Sequence, residues 1–220
     1  GSEREPARNF LTQENQGIST LATTLEDGSV VLLAKETSLL YPEHFIADKR
    51  EVSLQGNAFF DVAKKQGQPF WIDMEQAKIE VLGTAFSVQS DEHAPFRLSV
   101  QRGIVKVTLK KGNQECYVKA GEAVVVQSQR LVVLDADKEN EEWGSFFKHI
   151  RFKDESLANI LKVMNLNSDS LQIQVASPAL EERRLTVEFS DESSEVVATL
   201  IASALGLQCV RQGDILLLSE

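Results

Sequence analysis

Carboxylates are the commonest side chains in this chain that could do chemistry. Asp61, Asp73 and Glu75 sit close together in sequence, and a glycoside-cleaving pair needs two acids about 5–10 Å apart. The same three positions also read as solvent-facing acids on alternating strands. Asp91-Glu92-His93 resembles a metal cluster only in composition; it lies in a loop next to Pro95, and no metal is expected there. Cys116 and Cys209 form no C-x-x-C pair, and His44, His93 and His149 each stand alone, so no zinc site is expected. The two thiols read as free and half-buried, with a disulfide between two domains as the alternative. The sequence contains no G-x-S-x-G elbow, H-E-x-x-H, P-loop or G-x-G-x-x-G. No catalytic residue, metal or cofactor is assigned, and the chain is not expected to be an enzyme.

The aromatic residues raise a second possibility. Phe60, Phe70 and Phe86 are expected to fill a β core. Trp71, next to Phe70, alternates to the opposite face. Trp71, Phe59 and Tyr117, if exposed in a row, would line a sugar-binding groove. Trp143 stands beside an acidic run and reads as a plug between two domains.

The 220 residues are 42% hydrophobic and 25% charged, enough to bury a real core. The net charge of −10 and the isoelectric point near 4.9 oppose binding to phosphate backbones and anionic lipid. Lys110-Lys111 and Arg183-Arg184 are isolated pairs that read as solvated strand ends. No run approaches the ~18 apolar residues of a membrane span. Gly1-Ser2 reads as a remnant of tag removal, so the chain is expected to be a piece of a longer protein.

The elements that would position these residues fall into four stretches. Residues 1–17 are polar and unpatterned and read as a flexible N-terminal segment. From 18 to 134, short apolar-polar alternations recur with turn signals about every ten residues, which suggests an all-β sandwich or barrel. Asp27-Gly28 between two such runs predicts a tight hairpin. Residues 135–142 are mostly acidic and read as a linker. From 143 to 220 the period changes. Leu157, Ile160, Leu161 and Met164 mark one face of a helix, as do Val196, Val197, Leu200, Ile201, Ala204 and Leu205. Gly206 stops the second helix. Phe152-Lys153-Asp154-Glu155-Ser156 is echoed 37 residues later by Phe189-Ser190-Asp191-Glu192-Ser193. In each copy a strand ends at the Phe and the Asp is placed to cap the helix. The unit reads as βαβ twice with a closing hairpin, an α+β domain with two helices on one face of a small sheet. Its last strand, Ile215-Leu216-Leu217-Leu218, contains no charge. It is either an edge that accepts a partner's strand, or a central strand that is simply hydrophobic. Leu207, Cys209, Ile215 and Leu217 are the candidate partner-binding residues.

Leu25-Glu26-Asp27-Gly28-Ser29-Val30-Val31-Leu32 resembles the opening of FecR-type anti-sigma factors. The resemblance continues through Leu40-Tyr41-Pro42, Arg50-Glu51-Val52-Ser53-Leu54-Gln55-Gly56-Asn57-Ala58-Phe59-Phe60-Asp61-Val62 and Pro69-Phe70. It then runs through Val81-Leu82-Gly83-Thr84-Ala85-Phe86-Ser87-Val88, Gln101-Arg102-Gly103-Ile104-Val105 and Gly121-Glu122, covering roughly residues 18–127. Two departures stand out: Leu33-Ala34-Lys35 replaces the family's "L-N-A", and Asn57 replaces an acid. Residues 146–219 are similar to the secretin and TonB short N-terminal domain. The first domain is accordingly expected to be sandwich-like or β-solenoid-like. The resemblance implies a periplasmic region of a single-pass inner-membrane sigma regulator. Such a region binds the signalling domain of a TonB-dependent outer-membrane transducer and controls an extracytoplasmic-function sigma factor. The sigma-binding segment and membrane helix it implies do not lie within these residues. A periplasmic glycan- or ligand-binding module without catalysis is the alternative.

Overall fold

The computed structural model describes residues 9–45, 48–136, 142–168 and 170–220. Two compact units emerge. The first is built from residues through Ile18 together with Thr23–Trp143, and the second from Ser19–Ala22 with Gly144–Glu220. Most of the expected acidic linker, residues 137–141, and the start of the N-terminal segment, residues 1–8, lie outside the described residues.

The first unit is all β. Its strands are β1 (Phe10–Asn15), the last two residues of β2 (Thr20–Thr24), β3 (Val30–Leu33), β4 (Thr37–Pro42), β5 (Arg50–Gln55), β6 (Ala58–Asp61) and β7 (Phe70–Asp73). They continue with β8 (Ala77–Val81), β9 (Ala85–Asp91), β10 (Ala94–Arg102), β11 (Ile104–Leu109), β12 (Glu115–Lys119), β13 (Glu122–Gln127) and β14 (Arg130–Asp135). One sheet has seven strands in the order β1-β4-β5-β7-β8-β11-β12. In the other, β14, β13, β10, β9, β6 and β3 follow one another. Alternation explains the split between a buried and an open side: Val52 and Leu54 of β5 turn inward, while Glu51 and Ser53 turn outward. Phe60 of one sheet and Phe70 of the other are both fully buried, with ring centroids 6.4 Å apart, and Phe60 stacks on Phe86 at 5.2 Å. Each such ring contributes about 1.5–3 kcal/mol by leaving water.

Two expectations change here. The N-terminal segment is not wholly unstructured, because Phe10–Asn15 forms β1, antiparallel to β4. An edge strand is held by backbone bonds, so its side chains need not alternate. Here the buried Asn15 amide also donates to the Leu33 carbonyl. The strand-like run Val52–Val62 breaks at Gly56, whose φ of 115° sends β5 and β6 into different sheets.

The second unit contains β15 (Ile150–Ser156), α1 (Leu157–Leu166), β16 (Gln172–Val175), the short α2 (Pro178–Glu181), β17 (Arg184–Phe189), α3 (Ser194–Leu205), β18 (Gln208–Gln212) and β19 (Ile215–Ser219). Within it, Thr20 and Leu21 pair in parallel with Ile150 and Arg151. Both helices pack on β16, and the strands of the repeat divide between two sheets. The repeated strands β15 and β17 pair with each other, while the strands after the helices form a separate sheet, β16-β19-β18. Helix α1 packs on β15 and β16, and α3 on β16, β18 and β19. Phe152 and Phe189, the matching residues of the repeat, meet edge-on at 6.2 Å in the core. The caps are also reassigned. Ser156 and Ser193, not the aspartates, accept hydrogen bonds from the helix amides of Asn159 and Val196. Asp154, at the bulge within β15, and Asp191, in the bend before α3, instead take left-handed backbone, with φ of 43° and 59°.

Candidate partner-binding site

The C-terminal hairpin turns through Gly213-Asp214. With φ of 62°, Gly213 suits the first central position of a two-residue type II′ turn. Register then runs Gln212 to Ile215, Arg211 to Leu216, Val210 to Leu217, Cys209 to Leu218 and Gln208 to Ser219. On its other side β19 pairs in parallel with β16, from Gln172–Ile215 to Val175–Leu218. β19 is therefore the central strand, not an edge. Its unbroken apolar run is explained by burial: Leu216 and Leu218 lie on the buried face.

The open edge belongs to β18. All five of its residues are exposed, and among the described residues no strand pairs with its outer side. The pair flanking a two-residue turn exchanges both backbone hydrogen bonds, and the pattern alternates from there. The N–H and C=O groups of Cys209 and Arg211 therefore face outward. Leu207 precedes this edge, held by a bond from its amide to the Ala202 carbonyl and by the left-handed Gly206. Arg211 is anchored to Glu195 at the start of α3 at 2.9 Å. Such a charge on an edge blunts indiscriminate pairing. The open face of the same sheet presents Ile215 and Leu217, half-buried, with Val210 directly opposite Leu217 and 49% exposed. The four candidate residues thus fall into two groups: Leu207 and Cys209 along the edge, Ile215 and Leu217 on the open face.

The other candidates disperse. Asp61 is tied to Arg102 at 2.7 Å. Asp73 and Glu75 line one groove, but Asp73 is committed to Lys110 at 2.6 Å and the groove is open to solvent. Asp91 closes its own turn, accepting from the amides of His93 and Ala94 and from the Asn57 side chain. The Asn57 amide, foremost, holds the Asp91 carboxyl below its usual range. No group of three or more His, Cys, Asp or Glu that could hold a metal occurs among the described residues. Cys116 and Cys209 are free thiols, both pushed up in pKa by burial. Phe60, Phe70 and Phe86 are core residues, as expected. The proposed aromatic row does not assemble. Trp71 and Tyr117 share an outward row across β7, β8, β11 and β12, but Phe59 is buried in the other sheet, its ring 6.3 Å from Trp143. The Trp71 ring already has Lys78 over it at 4.9 Å.

The sequence reading did not foresee Arg50. Its guanidinium is fully buried and donates to Asp27 and to the carbonyls of Ala63, Gln68 and Leu82. Both Asp27 and Arg50 stand inside runs noted above, but nothing in the spacing couples them.

The first unit is thus a β unit organised around a buried ion pair, and the second a small α+β unit with an open strand edge. Residues 16–106 match the family model described as FecR protein. The fold is shared with two crystal structures of a "putative anti-sigma factor" from Parabacteroides distasonis ATCC 8503. One, at 1.65 Å, has a TM-score of 0.58 and 22% identity, over 94% of this chain and 98% of that one. The other, at 2.50 Å, has a TM-score of 0.59 and 22% identity, over 96% and 99%. No curated protein matches the chain. Among the described residues no helix is long and apolar enough to cross a membrane.

Proposed function

We propose that this chain is the periplasmic, signal-receiving region of an inner-membrane anti-sigma factor. It binds the signalling domain of a TonB-dependent outer-membrane transducer, and its state controls an extracytoplasmic-function sigma factor through a cytoplasmic segment outside these residues. The match of residues 16–106 to the FecR family model carries this reading, supported by a fold shared along nearly the whole chain with a "putative anti-sigma factor". The second unit, similar to the secretin and TonB short domain, supplies the partner surface. A strand of the transducer domain adds to β18 at Cys209, next to Leu207, and the neighbouring face offers Ile215 and Leu217.

Calorimetry with the purified signalling domain of the transducer encoded beside this gene tests the proposal. Saturable one-to-one binding that Cys209→Pro weakens is expected, because proline removes an outward N–H without breaking the β18–β19 ladder. Absence of binding overturns the transducer reading. Undiminished binding by the folded Cys209→Pro variant overturns the edge assignment alone.

A further inference from the structure

We propose that the outer face of the seven-stranded sheet holds a second site, a trough for a neutral oligosaccharide. It crosses β1, β4, β5 and β7 and is independent of the partner edge. A hollow of about 420 Å³ lies there. At Leu40 and Ser53 it adjoins a smaller one of about 280 Å³ that includes Phe10. Register sets Thr12, Leu40, Ser53 and Asp73 side by side, one per strand. Three strand spacings of about 4.8 Å make this row roughly 14 Å long.

The lining gathers several polar side chains that are left unpaired. Outside the trough the outward charges neutralise one another, Lys49 and Lys78 with Glu51 at 2.9 and 3.8 Å and Lys106 with Glu115 at 3.5 Å; within it Lys110 pairs with Asp73 at 2.6 Å, and Glu75 also lines it. In the trough, the side chains of Thr12, Ser38, Ser53 and Gln55 make no hydrogen bond to any described residue. These hydroxyls and the amide both donate and accept. Between them Leu40 is 42% exposed, and at the open end Phe10 is 55% exposed.

A pyranose has the matching chemistry, with hydroxyl groups around its rim that donate and accept and an apolar C–H face. An anionic ligand is a poorer fit, because the lysines at the trough are already paired. A purely apolar ligand would strip water from four polar groups and leave them unsatisfied.

The test is a calorimetric titration of the intact chain with maltotetraose, cellotetraose and N-acetylchitotetraose. At least one should bind saturably. The Ser53→Ala/Gln55→Ala variant should bind it at least about tenfold more weakly. Tyr117→Ala, on the same face but outside the trough, should bind it unchanged. No saturation by any of the three at about 10 mM would overturn the proposal. So would retained affinity in the double variant, or loss in Tyr117→Ala. Transducer binding should be unaltered in the Ser53→Ala/Gln55→Ala variant, so failure of either site is seen separately.

Discussion

The Arg50 guanidinium stands 2.7 Å from the Asp27 carboxylate, with both side chains almost completely removed from water. The pair explains the Asp-Gly-Ser turn. Asp27 accepts from the Ser29 amide and hydroxyl, and Ser29 Oγ in turn accepts from the Ala63 amide. A buried charge left without its partner is costly. Arg50→Ala should therefore destabilise the first unit by about 3–5 kcal/mol. Arg50→Lys should rescue little of this, since an ammonium cannot reproduce a forked set of donors. Both tryptophans, Trp71 and Trp143, lie in the first unit. Urea unfolding followed by their fluorescence therefore reads the loss directly.

Gly56 is the next vulnerable position. A Cβ there would lie 2.9 Å from the Thr37 Cα, on a backbone with φ of 115°. The Thr37 hydroxyl also bonds the Asn57 amide, so it cannot simply move aside. Gly56→Ala should cost about 1–3 kcal/mol. Gly67→Ala, with a left-handed φ but open space around it, should cost less. Paired denaturation curves compare the two.

The Asp91 carboxyl titrates below its ordinary 3.8, chiefly because the Asn57 amide donates to its charged form, helped by the amides of His93 and Ala94. A carboxyl depressed on folding adds stability that is fully present above 3.8 and is lost as the pH falls through the folded value. Asn57→Ala should move the Asp91 titration up towards 3.8, as followed by carboxyl carbon NMR. It should also flatten the acid limb of stability in that window.

Both thiols should be slow nucleophiles. Desolvation of the half-buried Cys116, and partial shielding of the otherwise exposed Cys209, hold both thiols above the ordinary 9.0, so each remains protonated at neutral pH. Alkylation by iodoacetamide, counted by mass spectrometry, should be sluggish at pH 7 for both. It should accelerate as the pH is raised beyond 9.0.

Ile215 and Leu217 separate edge from face. Ile215→Asp with Leu217→Asp alters the open face of the small sheet and leaves the outward backbone of β18 intact. If both surfaces engage the transducer domain, this double variant and Cys209→Pro should each weaken binding while the tryptophan-reported unfolding of the first unit stays unchanged. A calorimetric series on the two variants checks this.

Much of the architecture could be read from the sequence. The 37-residue echo of Phe152 in Phe189 foretold two capped helices, because local capping and periodicity are short-range properties. The recurring turn glycines likewise announced an all-β first unit. What escaped was non-local pairing. The apolar run at Ile215–Leu218 fits an edge and a centre equally well, and only the parallel partner β16 decides between them. The cap moved from aspartate to serine because Asp154 and Asp191 tolerate positive φ, which composition does not reveal. Phe59 and Phe60 are adjacent and both buried, since this strand has core on both sides; simple alternation would have exposed one of them.

Arg50 also bears on how the first unit opens. Its four bonds reach residues 13, 18, 23 and 32 positions away, so four separate stretches of chain share a single donor group. None of those stretches can fray alone without stranding a buried charge. The loops around Ala63, Gln68 and Leu82 therefore belong to one cooperative unit, and amide protons near them should exchange with solvent only through its global unfolding.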